Sequence, residues 1–391
     1  MDKDLNNRFG NCNCKWSDAL MINGPILIIG AGIGGLTSAI ALRRKQFDVD
    51  IIEKDRSWSV YGVGIIQQSN VVRAMAELGV LDDYLTAGFG FDQLEIYIPS
   101  GIKVATVPSP KLTGNYPANV GIGRRALHKV LSERAMGAGA RIRLGVTADS
   151  LQDDGQSVKV SFSDGSAGEY AVVIGADGLY SDTRRILFPD APAPEFTGQA
   201  VWRYNFERPQ SLVSLHVYDG PMGIGLVPLS KTEMYMYLTS PEPGNPRYPK
   251  AGLAAAMRGK LSAAPPTLRH LVGQITDDDG VVYKPLEWVF LSGDWHKGRV
   301  VLLGDAVHAT TPHLGQGAGM AIEDSLVLAE ELAKDTSAEV AFTAFRKRRF
   351  ERCKYIVERS KAVGDGQIGK GPLVDNAAAS REMFQVISAP L

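Results

Sequence analysis

The stretch from Ile26 to Glu53 leaves this chain few folds to choose from. Ile26 to Ile29 is an unbroken apolar run ending in Gly30-Ala31-Gly32-Ile33-Gly34-Gly35; Leu36 to Arg44 has helical composition, and Val49 to Ile52 reads as a second strand with Glu53 at its end. Strand, tight turn, helix and strand make a βαβ unit, and such units build a parallel sheet with helices on both faces. The six residues fit GxGxxG where that pattern has physical meaning, directly after a strand and at a helix start. Its glycines permit the turn, let the backbone approach a pyrophosphate and let the helix lie close to its strand. The helix's first N–H groups then meet the negative charge. Gly30, Gly32, Ile33, Gly34 and Gly35 are therefore cofactor-binding candidates, joined by Glu53, which can accept hydrogen bonds from an adenosine ribose, and its neighbour Lys54. A plain structural turn is the competing reading, and the acid at the end of the second strand counts against it.

Composition narrows the class. The 391 residues are 45% hydrophobic and 22% charged, enough apolar material for two cored domains and unlike a disordered or fibrous chain. Lys and Arg number 42 and Asp and Glu 43, so no overall field gathers nucleic acid or anionic membrane, and a small-molecule partner is expected. The apolar run before the glycines is far short of the roughly 20 residues that span a bilayer. Cys12, Cys14 and Cys353 form neither a disulfide framework nor the paired CxxC of a zinc site, so no metal is expected and a reducing cytoplasm fits. Residues 1–20, polar and Asn-rich, read as a flexible tail. The chain is expected to be a monomer or homodimer.

Along the chain the pattern alternates between two kinds of structure. Short strands are expected at Leu94 to Ile98 and Lys103 to Val107, then a helix at Arg124 to Ala135 and a strand at Arg141 to Leu144. Val158 to Phe162, a turn at Asp164-Gly165, and Tyr170 to Ile174 read as a hairpin. After Pro189, four alternating runs (Ala200 to Phe206, Leu212 to Tyr218, Ile224 to Leu229, Glu233 to Leu238) make one antiparallel sheet. Arg299 to Leu303 and the helix Gly319 to Leu332 return the chain to its first domain. The expected fold is thus α/β: a Rossmann-like domain (21–92, 117–190 and 285–391, with C-terminal helices) interleaved with a smaller antiparallel-sheet domain (93–116 and 191–284). The basic run Arg346 to Lys354 alternates with Phe345, Phe350 and Tyr355 at helical spacing and reads as a solvated helix face.

Two later segments decide which dinucleotide is meant. Val172-Val173-Ile174-Gly175-Ala176-Asp177-Gly178 with Leu179 to Arg184 resembles the DG fingerprint of flavoprotein hydroxylases, and Gly304-Asp305-Ala306-Val307-His308 followed by Pro312 to Gly317 resembles their GD fingerprint. Asp305 at a strand end can accept from a ribityl chain, and the backbone from Gly315 through Gly317 and Ala318 to Gly319 can donate to a flavin's pyrimidine oxygens. Three fingerprints in order, from about Ile26 to Leu332, resemble the class A, single-component FAD-dependent aromatic monooxygenases (the 4-hydroxybenzoate, salicylate and 6-hydroxynicotinate hydroxylase-like family). The resemblance implies FAD contacts at Arg124, Val146 and Asp177, and NADH or NADPH as a transient co-substrate. It further implies transfer of one oxygen of O2, by way of a flavin C4a-hydroperoxide, to an activated ring carbon of a phenol or hydroxylated N-heteroaromatic. The GxGxxG at Gly30 to Gly35 is the only one that directly follows an apolar, strand-like run, and no tryptophan sits in the WxWxIP motif of flavin halogenases.

The ring-facing wall in such a fold is the antiparallel sheet. Alternation places Leu212, Ser214, His216 and Tyr218 on one face, and Tyr235 with Tyr237 on one face of the next-but-one strand. His216, Tyr218 and Tyr235 are the candidates for orienting or deprotonating a phenol. Arg203 and Tyr237 are candidates for holding the substrate, Arg203 as a carboxylate partner. By resemblance Pro312 lies close to the flavin ring, and Gln67, in a loop like one that lines the flavin, offers an amide contact. In that loop hydroxypyridine-hydroxylating relatives carry a histidine near the place of Ile66, and the proline usual in the family before Asn70 is Ser69 here, which argues against 6-hydroxynicotinate as substrate. Two other functions fit the same motifs: an FAD-dependent epoxidase or hydroxylase of a polycyclic or non-aromatic compound, and a non-catalytic flavin-binding regulator.

Overall fold

A computed structural model describes residues 22–60, 62–220, 222–334 and 336–391. The readings made for residues 1–20, and for Cys12 and Cys14, lie outside these residues. Among the described residues the strands form four sheets. The first has the order His296–Lys297, Val300–Leu302, Val172–Gly175, Ile26–Ile29, Val49–Glu53, Arg141–Leu144 and is parallel apart from its first strand. All four side chains of Ile26–Ile29 are buried, as a central strand sandwiched by helices requires. Each such side chain contributes roughly 1.5–3 kcal/mol by leaving water. The helices Ile33–Arg44 and Gly317–Leu332 pack against each other, and the first also packs against Ile26–Ile29 and Val49–Glu53.

Here the sequence reading needs correction at one strand. Val158–Phe162 forms its hairpin with Ala167–Tyr170, whereas Val172–Gly175 leaves the hairpin and runs parallel to Ile26–Ile29. The break falls at Ala171, whose N–H donates to Pro25 at the start of the central strand. A continuous run of apolar residues concealed the switch of partner.

The second large sheet has seven strands in the order Val282–Trp288, Glu195–Glu207, Glu233–Pro241, Ile224–Pro228, Leu215–Tyr218, Gln93–Tyr97, Lys103–Pro108. Its first strand continues to Trp288, past the expected boundary at residue 285. Residues directly opposite in register share a face. One face carries Arg203, Tyr237, Gly225 and Val217; the other carries Trp202, Leu238, Ile224 and Tyr218. The second face is covered by the helices Leu253–Lys260 and Arg269–Gln274, with Trp202, Met236, Leu238, Met257 and Leu271 in a separate core. The first face is left to look across at the parallel sheet.

The basic run is also corrected. It lies in the long helix Ala338–Gln367, but Arg349 is fully buried and Arg352 nearly so, paired with acids of the Gly317–Leu332 helix. Periodicity placed the helix; it could not see that the opposing helix carries Glu323 and Asp324.

Candidate active site

Between the parallel sheet and the first face of the seven-stranded sheet lies a cavity of about 510 Å³. One wall is the glycine turn and the start of its helix, Gly32, Ile33 and Gly34; a second is Gly304, Asp305, Pro312, Gly315, Gly317 and Ala318. The third is the sheet, with Val201, Arg203, Tyr235 and Tyr237.

The glycine turn divides its labour as its chemistry requires. A Cβ at Gly30, whose φ is +106°, would lie 2.5 Å from the Ala176 carbonyl oxygen, and one at Gly35 would lie 1.9 Å from the Gly30 oxygen. Those two glycines make the turn. At Gly32 a Cβ would meet nothing within 4 Å, because that backbone edge opens onto the cavity. Gly32 also caps its helix with no side-chain acceptor, and no acid stands in the first turn. The Gly317–Leu332 helix starts in the same way, capped by Gln316 without a side-chain bond and reached through Gly315 in the left-handed region. Two helix N-termini without acidic caps thus meet one cavity, a donor set suited to phosphate at one and to carbonyl oxygens at the other.

Glu53, Lys54 and Val146 do not line the cavity but lie at the strand ends beside the turn. The Glu53 carboxylate accepts from Ala31 N and Asp55 N, both at 2.9 Å, and Val146 N donates to the Glu53 carbonyl at 3.0 Å. Lys54 is exposed. Asp177 is turned away from the cavity: it accepts from Ser181 Oγ at 2.5 Å and from Thr183 N and Oγ1 at 2.9 Å, so it shapes the loop whose Ala176, Gly178 and Leu179 do line the cavity. Arg124 is in the lining. Asp305 lines the cavity with its side chain exposed to it.

On the sheet side, two glycines seat two tyrosines. A Cβ at Gly225 would fall 2.1 Å from Tyr237 Cε1, and one at Gly64 2.4 Å from Tyr235 Cδ1, so each ring lies flat over a glycine. Burial raises the pKa of both phenols, which keeps them neutral and able to donate. Beside them burial, reinforced by the charge of Arg124, lowers Arg203 to about 10. A guanidinium held at that cost wants an anion.

His216 and Tyr218 are corrected. Both lie on the opposite face of the sheet, His216 with its Nε2 3.6 Å from Glu95 and its ring beside Tyr97, and Tyr218 stacked on Tyr97 within the separate core. The alternation was read properly, but which face met the cofactor depended on where the covering helices packed. Gln67 also stays out of the lining, fully buried with its Nε2 on the Ile66 carbonyl, while Ile65 and Ile66 reach the cavity. Sequence reasoning missed Lys284 and Glu287 on the edge strand, Thr311, and the shelf Gly225. Glycines inside strands, which mark close approach, were the available signal.

The fold and cavity define a class: a dinucleotide-binding α/β protein in which an antiparallel sheet and the glycine turn line one cavity. A family described as "FAD binding domain" matches residues 23–360, and the chain belongs to it. Its cofactor is FAD and it is an enzyme of the flavoprotein monooxygenase family. The chain is 30% identical over 346 residues to 2-heptyl-3-hydroxy-4(1H)-quinolone synthase of Pseudomonas aeruginosa, covering 87% of this chain and 88% of that protein. It is 30% identical over 339 residues to 6-hydroxynicotinate 3-monooxygenase of Bordetella bronchiseptica, covering 82% and 85%. The crystal structure of a Klebsiella pneumoniae HpxO variant complexed with FAD superposes with a TM-score of 0.80 at 25% identity, over 93% of this chain and 94% of that one. No helix among the described residues is long and apolar enough to cross a membrane.

Proposed function

We propose that the enzyme uses NADH or NADPH and O2 to hydroxylate a small aromatic ring that bears an ionisable hydroxyl or acidic group. The observation that carries this reading is one cavity in which Arg203, Tyr235 and Tyr237 face Pro312, Gly315 and Ala318. The residues fit the cofactor: Gly32, Ile33 and Gly34 for the pyrophosphate, Glu53 for the adenosine ribose, Asp305 for the ribityl chain, and the Gly315, Gly317 and Ala318 backbone for the flavin's pyrimidine edge. When bound, FAD accepts a hydride from the nicotinamide and, once reduced, activates O2 as an electrophilic oxygen donor.

The protein's own part is positioning and charge. Arg203 attracts the substrate anion and stabilises a phenolate over a phenol, which raises the electron density of the ring carbon that is attacked. Neutral Tyr235 and Tyr237 donate hydrogen bonds to the ring oxygens and fix the ring's orientation. Ile65, Ile66 and Val201 supply apolar walls that exclude water. The relatives named for a quinolone and for hydroxynicotinate support an N-heteroaromatic with an acidic hydroxyl. Ile66, facing the cavity, argues for a ring contact there that is apolar. The test is NAD(P)H consumption by the flavin-loaded enzyme with a panel of phenols, hydroxypyridines and hydroxyquinolines, following peroxide and product mass. One compound that stimulates consumption and gains one oxygen is the expected result; release of peroxide alone with every compound would overturn the assignment.

A further inference from the structure

Arg349 lies fully buried in the long C-terminal helix, and its arms reach two adjacent acids of the Gly317–Leu332 helix. Nη1 is 2.7 Å from Glu323 Oε2, and Nε donates to Asp324 Oδ1 at 2.8 Å. Each acid turns its other oxygen to a different element, Asp324 to the turn after Leu303 and Glu323 to Asn70 in the helix Ser69–Leu78 and to Arg352. Asp324 Oδ2 accepts from Gly304 N at 3.0 Å and lies 2.6 Å from His308 Nε2, pinning both ends of the short turn that carries Asp305. Glu323 Oε1 accepts from Asn70 Nδ2 at 3.0 Å. Asn70 exchanges hydrogen bonds with Gln316 at 3.0 and 3.1 Å; Gln316 also donates to Gln68, whose Nε2 donates to the Leu314 carbonyl at 3.2 Å. That second path ends inside the loop from Pro312 to Ala318.

Buried ion pairs are a poor way to stabilise a core, since apolar residues of like volume often do as well or better. What this arrangement supplies is geometry. A planar guanidinium holds two carboxylates at a fixed separation, which a flexible ammonium does not. We propose that Arg349 is a positioning residue for the flavin: by bridging Glu323 and Asp324 it fixes the spacing between the loop that presents Asp305 and the loop that presents the Gly315 to Ala318 backbone. The inference rests on reading those loops as the ribityl and ring contacts, and it needs no particular substrate.

Two variants test it, Arg349→Lys and the charge-free combination Glu323→Gln, Asp324→Asn, Arg349→Met. The measurements are the thermal midpoint of the FAD-free protein, the Kd for FAD by fluorescence titration, and the midpoint potential of the bound flavin. For Arg349→Lys the FAD-free melt stays near that of the parent, while the Kd rises about tenfold or more. Reduced flavin, which depends most on the loop's donors, loses a further tenfold in affinity, so the potential falls by about 30 mV. A Kd and potential within twofold and a few millivolts of the parent would overturn the proposal. If the lysine variant does not fold, the charge-free variant decides by the same two readouts. Failure of the hydroxylation reading would leave all of these values untouched.

Discussion

Replacing Arg203 by Met removes a charge while keeping much of the volume, and it should move stability and binding in opposite directions. Burial and the neighbouring Arg124 bring Arg203 down to about 10. At 1.36 kcal/mol per pKa unit, holding the charged form in the substrate-free cavity costs on the order of 3 kcal/mol. The sign follows from linkage: the folded state binds this proton less tightly than the unfolded state. The penalty is therefore complete at every pH below about 10 and is relieved only as pH rises beyond it. Arg203→Met should raise the unfolding free energy at pH 7, by up to about 3 kcal/mol less the lost packing of the side-chain stem. Against an anionic ring the same change forfeits a charged hydrogen bond of roughly 1.5–3 kcal/mol, or about 10- to 150-fold in Kd. Urea denaturation gives the first quantity, and flavin absorbance titration with matched acid and amide ligands gives the second. A variant that is less stable than the parent, or that weakens acid and amide equally, would refute the account of Arg203 as an anion receptor.

Other changes separate the roles assigned above. Gly30→Ala should prevent folding, because its Cβ meets the Ala176 carbonyl, whereas Gly32→Ala should fold with an unchanged melting point and lose FAD affinity by tenfold or more, as titration would report. Gly225→Ala should tilt the Tyr237 ring into the cavity and raise KM at least tenfold while flavin content stays full. His216→Ala should leave kcat within twofold, since that ring lies on the covered face beside Glu95 and Tyr97; a loss of tenfold would return it to the active site. Burial holds His313 at about 4, so the unfolded chain takes up its proton first as pH falls. The fold should lose on the order of 3 kcal/mol between pH 6.5 and 4 that His313→Gln does not lose, measured from urea midpoints across that range.

How far the sequence could be read followed the range of the physics involved. The glycine turn, its strand and helix, and the acid at Glu53 are local, and residues 26–53 fold as their pattern requires. The turn between Phe162 and Ala167 was equally local, but the choice of Val172–Gly175 between two partners depended on residues 146 positions away, so it was misassigned. Strand alternation separated Arg203 from Trp202 and Tyr237 from Met236. It was silent on which set met the flavin side, because that was decided by the helices Leu253–Lys260 and Arg269–Gln274 packing on the other face. Arg203, Tyr235 and Tyr237 reach the cavity and His216 and Tyr218 do not for this single reason. Arg349 was read as surface because a basic run looks alike whether it faces water or two buried acids.

The order of strands in the parallel sheet also bears on how the protein comes into being. Ile26–Ile29 precedes its neighbour Val172–Gly175 by well over a hundred residues of synthesis, and Val300–Leu302 with the loop reaching Ala318 comes later still. The nascent chain therefore has no complete nucleotide cleft until most of it has been made, and the first strand must wait with its apolar edge uncovered. Each of the two large sheets draws its strands from separated stretches of the chain, so a product truncated before Val300 would lack part of the parallel sheet. The cofactor's site is therefore complete only once the chain has been made as far as Ala318.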